Sequence, residues 1–215
     1  MDTLVDNDIL YKAAAYCLLE ELLGQYRSGT DKLGVLGAAR FVVIKRLTRK
    51  PPRTTAIADV LQQFQTFLES CAVVEPTEEE LAVAADFELA AQRAAVALDT
   101  GESQLCAILI ARFLRLLLTG DKRAIVAISR LISISDRLSY VVGRVCCFEQ
   151  IFLRCLTAGT LVRLRSAVCS EQDVDKALTI CFSCSSPTSS LTTVEEGLAS
   201  YINDLRNKAP GILEN

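Results

Sequence analysis

The segment Leu114-Arg115-Leu116-Leu117-Leu118-Thr119-Gly120-Asp121 reads as a strand covered on both faces, because its apolar run is nearly continuous and not alternating. Its polar corner, Thr119-Gly120-Asp121, stands at the carboxyl end, the edge where open α/β sheets bind ligands. Two other segments repeat the arrangement of an acid at the end of an element. Thr3-Leu4-Val5 is short, apolar and β-prone and leads into Asp6-Asn7-Asp8, while Asp99-Thr100-Gly101-Glu102 opens a helix whose Leu105, Ile108, Leu109 and Ala111 face inward. If the fold brings Asp6, Glu102 and Asp121 together, the result is an acidic pocket. Crowded carboxylates raise one another's pKa unless a hard cation neutralises them, and Mg²⁺ or Mn²⁺ is the natural occupant. Such an ion supports in-line hydrolysis of a phosphodiester without a histidine, and the chain has none.

Working outward, Ile9, Leu10, Ala13, Ala14, Cys17, Leu18 and Leu22 carry helical spacing and predict one long helix after the first acidic corner. Asp8 suits either that helix's N-cap or a metal. A helical pattern over residues 33–47 ends at Pro51-Pro52, a second helix is expected over 55–70, and residues 72–74 read as a strand. Thr77 followed by Glu78-Glu79-Glu80 is a helix start, and that helix is expected to run to about Val96. Asp99 or Thr100 is the expected cap before Glu102. Residues 140–142 and 145–147 suggest a further strand region, and helical material follows over 148–157, 160–168 and 173–182. Alternating strands and helices imply an α/β fold, a short central parallel sheet with helices on both faces. The organisation expected is a domain over 1–182 with a helix-rich insertion around 33–70, a Ser/Thr-rich linker over 183–193, and a C-terminal helix over 194–215 that caps the domain or pairs with another subunit, as in a homodimer.

With 215 residues, 51% of them hydrophobic, the chain can bury a core without staples. Twenty-three basic and 26 acidic side chains give a formal charge of −3, so any grip on a polyanion must be local. The local asymmetry lies between Lys32 and Ala58, where there is no acid and seven cations occur. Lys45 with Arg49 and Arg46 with Lys50 are four apart and share helix faces, so these residues and Arg53 are candidate phosphate contacts, or a solvated face. No apolar run reaches the roughly 20 residues of a membrane span. No charged-then-apolar leader precedes the first strand, so the nine cysteines are expected to be reduced, cytoplasmic core thiols and not a disulfide framework. Cys181-Phe182-Ser183-Cys184 offers a weak zinc pattern without a second pair.

A strand ending in Asp6, a Gly101-Glu102 helix start and Leu116-Leu117-Leu118-Thr119-Gly120-Asp121 after a later strand, in that order, resemble the PIN domain family, metal-dependent nucleases that include VapC-type toxins. The resemblance covers about residues 1–155. It implies a PIN-like α/β/α fold with acids clustered at the carboxyl edge of a parallel sheet, Mg²⁺ or Mn²⁺ as cofactor, an RNA substrate, and an antitoxin or other protein partner. It makes Asp6, Glu102 and Asp121 the catalytic ligands, with Asp8 and Asp99 as further ligand candidates and Thr119 as a hydroxyl donor beside them. The family's additional glutamate after the first helix has no counterpart, since that region is the acid-free basic stretch; Asp8, Asp86, Glu88 or Asp99 are its possible substitutes. The expected activity is therefore an endoribonuclease, or a PIN-like binding or regulatory module with weak or lost catalysis.

Overall fold

Three-residue strands dominate the sheet, so its order is fixed by what flanks each strand more than by strand length. The computed structural model describes residues 1–27 and 29–215. Strand β1 (Thr3–Val5) lies at the centre, and β2 (Gly34–Leu36), β3 (Ala72–Val74), β4 (Leu116–Thr119) and β5 (Val145–Cys147) join it in the order β3-β2-β1-β4-β5, all parallel. Chain order runs outward from β1 on one side and restarts at β4 on the other. The crevice between the carboxyl ends of β1 and β4 is thus the sheet's switch point. Successive strand residues point to opposite faces: Val5, Val35, Leu118 and Cys146 feed one core, and Leu4, Leu36, Leu117 and Cys147 feed the other.

Helices α1 (Asn7–Ala15), α2 (Leu19–Leu23), α3 (Ala39–Arg49) and α4 (Ile57–Glu69) pack on the first face. Helices α5 (Glu78–Arg93), α6 (Thr100–Ala111) and α7 (Lys122–Leu131) cover the second. After β5, α8 (Phe148–Cys155), α9 (Leu161–Ser170) and α10 (Lys176–Cys181) return to the first face. Helix α11 (Leu191–Lys208) packs against α8 and α10 through Val194, Leu198, Ile202 and Leu205. The segment after it closes the outer edge of β5, where the Val145 N–H donates to the Ile212 carbonyl and the Glu214 N–H to the Val145 carbonyl. Among the described residues no helix is long and apolar enough to cross a membrane.

Several expectations are corrected. The helix over 33–47 begins only at Ala39, and Gly34–Leu36 is instead β2, a central member of the sheet. Gly34 permits this close packing, since a Cβ there would lie 2.8 Å from the Leu4 side chain. The insertion around 33–70 therefore holds a core strand as well as two helices. Of the strand region expected over 140–142 and 145–147, the second part is β5, but Tyr140 and Val141 instead end a 3₁₀ turn over Asp136–Val141. Cys169 and Cys184 form a disulfide, their Cα atoms 5.1 Å apart because the chain folds back between α9 and the end of α10. With Cys184 so engaged and Cys181 buried, the zinc pattern has no open pair of thiolates.

The long first helix is broken in two by an unusual ending. Cys17 takes φ 55°, its N–H donates to the Ala14 carbonyl, and the Leu18 N–H donates to the Ala13 carbonyl, which is a Schellman motif built without glycine. Ala95, Phe113 and Ser183 end α5, α6 and α10 in the same way, with φ of 52°, 52° and 48°. A side chain in this left-handed region costs roughly 1–2 kcal/mol. Ala95 is exposed, so Ala95→Gly sheds that strain and loses little burial. It is expected to raise the melting temperature by roughly 2–4 °C, the conversion for a gain of about 1 kcal/mol in a domain of this size; a melting curve at or below wild type contradicts it.

Candidate active-site cleft

Asp6 follows β1 directly, and its carboxylate accepts a hydrogen bond from the Thr119 hydroxyl of the neighbouring strand at 3.2 Å. The register makes this meeting unavoidable, since Val5 pairs with Leu118 and the next residues along the two strands are Asp6 and Thr119. Asp6 occupies the N-cap position of α1 but makes no capping hydrogen bond. Its carboxylate lies beside the first amides of α1, those of Asn7 and Asp8.

Glu102 and Asp121 arrive at the same place by different routes. Asp99 caps α6 by accepting from the Glu102 N–H at 3.1 Å, and Glu102 reciprocates by accepting from the Asp99 N–H at 3.0 Å, a capping box. Asp121 caps α7, accepting from the amides of Arg123 and Ala124, and pairs with the Arg123 guanidinium at 2.9 Å. Three helix N-termini, those of α1, α6 and α7, thus meet in one cleft of about 720 Å³ that Asp6, Asp8, Asp99, Glu102 and Asp121 all line. Each brings the positive end of its dipole to that cleft.

The electrostatics divide these acids into two kinds. Burial raises Asp6 to about 7, with the nearby Asp8 charge adding to it and the Asn7 amide and then the Thr119 hydroxyl offsetting part. Burial likewise raises Glu102 to about 8, helped by the charges of Asp99, Asp121 and Asp6. Among the described residues neither has a cationic partner. Burial pushes Asp121 upward too, but the hydrogen bonds and charge of Arg123 outweigh it and hold Asp121 below the ordinary range.

Asp8 belongs to the second kind, and the expectation for it changes. It does not cap α1; its oxygens pair with Lys12 at 2.6 Å and with Arg46 at 2.7 Å. Lys12 also reaches Asp175, before α10, at 2.8 Å. Burial alone would lower the Lys12 pKa, but Asp8 and Asp175 hold it above its usual value. Gly120 leaves room for this arrangement, since a Cβ there would lie 2.5 Å from an Asp8 oxygen. The spacing of Asp8 and Lys12 made their pairing readable on a helix, but nothing local pointed to Asp175 or to Arg123 as a partner of Asp121.

The basic residues divide similarly. Arg46 is taken up by Asp8 and lies over the Tyr11 ring at 3.8 Å, and Arg53 pairs with Asp173 while its N–H donates to Glu171 at 2.6 Å. Lys45, Arg49 and Lys50 are exposed and have no carboxylate partner among the described residues. A larger depression of about 810 Å³ lies against α2 and α4, but its Glu20 and Glu21 are paired with Arg27 and Arg163, so its charge is spent locally.

Among the described residues, no three acids or cysteines stand close enough together to share one ion. Searches of protein-family models, curated proteins and solved structures find no match to this chain.

Proposed function

We propose that this chain is a PIN-like metal-dependent nuclease that hydrolyses RNA phosphodiester bonds, with Asp6, Glu102 and Asp121 as its metal-binding acids. The observation that supports the reading is that these acids, from three distant parts of the chain, line one cleft at the carboxyl edge of a parallel sheet, though as placed they stand too far apart for all three to share one ion. Two of them, Asp6 and Glu102, are buried carboxylates with no cationic partner among the described residues. Their donor atoms are all oxygen, the set that hard divalent cations take. Bound Mg²⁺ or Mn²⁺ supplies Lewis acidity toward a phosphodiester and lowers the pKa of water.

The chain's own residues then have distinct tasks. Asp6 and Glu102 hold the cation's charge, and Thr119 orients Asp6 by its hydrogen bond. Five acids and two arginines, Arg46 and Arg123, line the cleft, so a phosphate is repelled until a cation offsets the acids. Arg123 at the rim is well exposed and suited to meet a substrate phosphate. An antitoxin or other protein partner and a role as a toxin belong to the same proposal.

A second reading, a PIN-like binding or regulatory module with weak or lost catalysis, is favoured by one set of observations. Asp8 is sealed by Lys12 and Arg46, Asp121 is drawn to Arg123, and α3 offers the cleft Val42 and Arg46 where the family has a glutamate. Incubation of the protein with a labelled RNA oligomer decides between them. Cleavage that appears with Mn²⁺ or Mg²⁺ and disappears with EDTA supports the nuclease; an intact oligomer under both ions leaves the module.

A further inference from the structure

We propose that the outer face of α3 is a track for single-stranded RNA, with Phe41 as a platform on which one unpaired base stacks. The proposal deepens the nuclease reading, on which it rests, by naming the class of RNA and where its flank runs. Phe41 is 73% exposed, an uncommon position for a phenylalanine, and among the described residues no ring stacks on it. Lys45 lies four residues further along the same helix face and Arg49 four beyond it, both exposed, while the exposed Arg40 and Lys50 stand elsewhere around the helix and its end. No acid occurs between Lys32 and Ala58 to neutralise them.

Continuity with the cleft selects the occupant. Val42, the residue after Phe41, and Arg46, the residue after Lys45, line the acidic cleft, so one edge of α3 forms its wall while the adjoining face carries the ring and the free cations. From Phe41 to Arg49 the helix rises about 12 Å, room for a few nucleotides of a strand leaving the cleft. A ring among unpartnered cations is the pairing that single-stranded nucleic acid takes: cations track phosphates, and the ring takes any base face. A duplex cannot use the ring, because its bases are already stacked and its grooves do not present their faces.

The test measures binding without catalysis. A fluorescein-labelled oligouridylate and a blunt RNA duplex of equal length are titrated with the full chain in EDTA over a series of salt concentrations. Phe41→Ala is expected to weaken oligouridylate binding about tenfold, within the range for loss of one stacked base, with the salt slope unchanged. Phe41→Trp is expected to keep the affinity, and neither variant to alter duplex binding. The double variant Lys45→Ala/Arg49→Ala is expected to flatten the logarithmic salt slope by about 1.4, at about 0.7 for each phosphate contact on a single strand. Unchanged oligouridylate affinity in Phe41→Ala, at an unchanged melting temperature, overturns the proposal and leaves the ring to a protein partner. Equal losses on oligomer and duplex overturn it as well. Phe41-dependent binding in a protein that cleaves nothing with any divalent ion supports the track and removes the nuclease; metal-dependent cleavage with Phe41-independent binding does the reverse.

Discussion

Asp6→Asn is expected to lower the Mn²⁺-dependent rate of RNA cleavage by about 10³-fold or more while making the protein more stable at pH 8. The two effects have one cause. Asn preserves the shape of the side chain and keeps a carbonyl oxygen for the Thr119 hydroxyl, so the β1–β4 edge need not rearrange. It removes a negative charge that the fold buries without a cationic partner. A carboxyl raised from 3.8 to about 7 by folding burdens the native state at pH 8, by roughly 4 kcal/mol at about 1.36 kcal/mol per unit. Divalent-ion catalysis contributes several kcal/mol to phosphoryl chemistry, and each 1.36 kcal/mol is about tenfold in rate, so loss of a principal ligand removes about three orders of magnitude. Asp121→Asn provides the contrast. It also loses a proposed ligand, and Asn keeps the α7 cap, but the charge that pairs with Arg123 and faces the helix N-terminus is removed, so stability is expected to fall by up to about 1 kcal/mol. Single-turnover cleavage and thermal melts on both variants measure this. Cleavage by Asp6→Asn at the wild-type rate would leave the acids of the cleft without a catalytic role.

What the chain discloses before folding follows from how locally each feature is encoded. The β4 segment and its Thr119-Gly120-Asp121 corner are readable because a long apolar run ends in a polar turn, and Asp99 with Glu102 because a capping box spans only four residues. Strand β2 is not, because three residues beginning with glycine fall below the length at which periodicity speaks, and the apolar residues of α3 continue its pattern. The break after Tyr16 escapes for another reason: cysteine, not glycine, occupies the left-handed position, so the usual stop signal is missing. The seal on Asp8 depends on Asp175, which reaches Lys12 only once α10 has docked. The Cys169–Cys184 disulfide departs from the expectation of reduced core thiols, which rests on the lack of a leader and the apolar surroundings of the cysteines and cannot register that α9 and the end of α10 fold back together. The three acids were visible one by one in their local corners, whereas the difference between the unpartnered Asp6 and Glu102 and the arginine-paired Asp121 is tertiary.

That difference predicts an inverted pH response. Without divalent ions, the melting temperature is expected to fall between pH 5 and pH 8, on the order of 10 °C. Asp6 and Glu102 are raised by folding to about 7 and about 8, so over much of this interval the native state holds protons that the unfolded chain has released. Stability is then lost as pH rises, fully present below the unfolded pKa values near 4 and exhausted above the folded ones. Groups lowered by folding, Asp2, Glu80, Asp121 and Asp175, act in the opposite sense, but their window lies below about pH 5, outside the interval. The buried thiols raised by folding, such as Cys106 and Cys147 at about 12, matter only on the alkaline side. Mn²⁺ needs the ionised carboxylates, so at pH 8 it is expected to restore about 2.7 kcal/mol when its concentration is about 100 times the dissociation constant, and to do little at pH 5, where protons hold the site. In Asp6→Asn/Glu102→Gln the slope is expected to flatten and the Mn²⁺ response to vanish, while glutamine keeps the α6 capping box. A melting temperature that stays level from pH 5 to pH 8, or an Mn²⁺ shift of the same size in the double variant, would show that these two carboxylates are not a cation site.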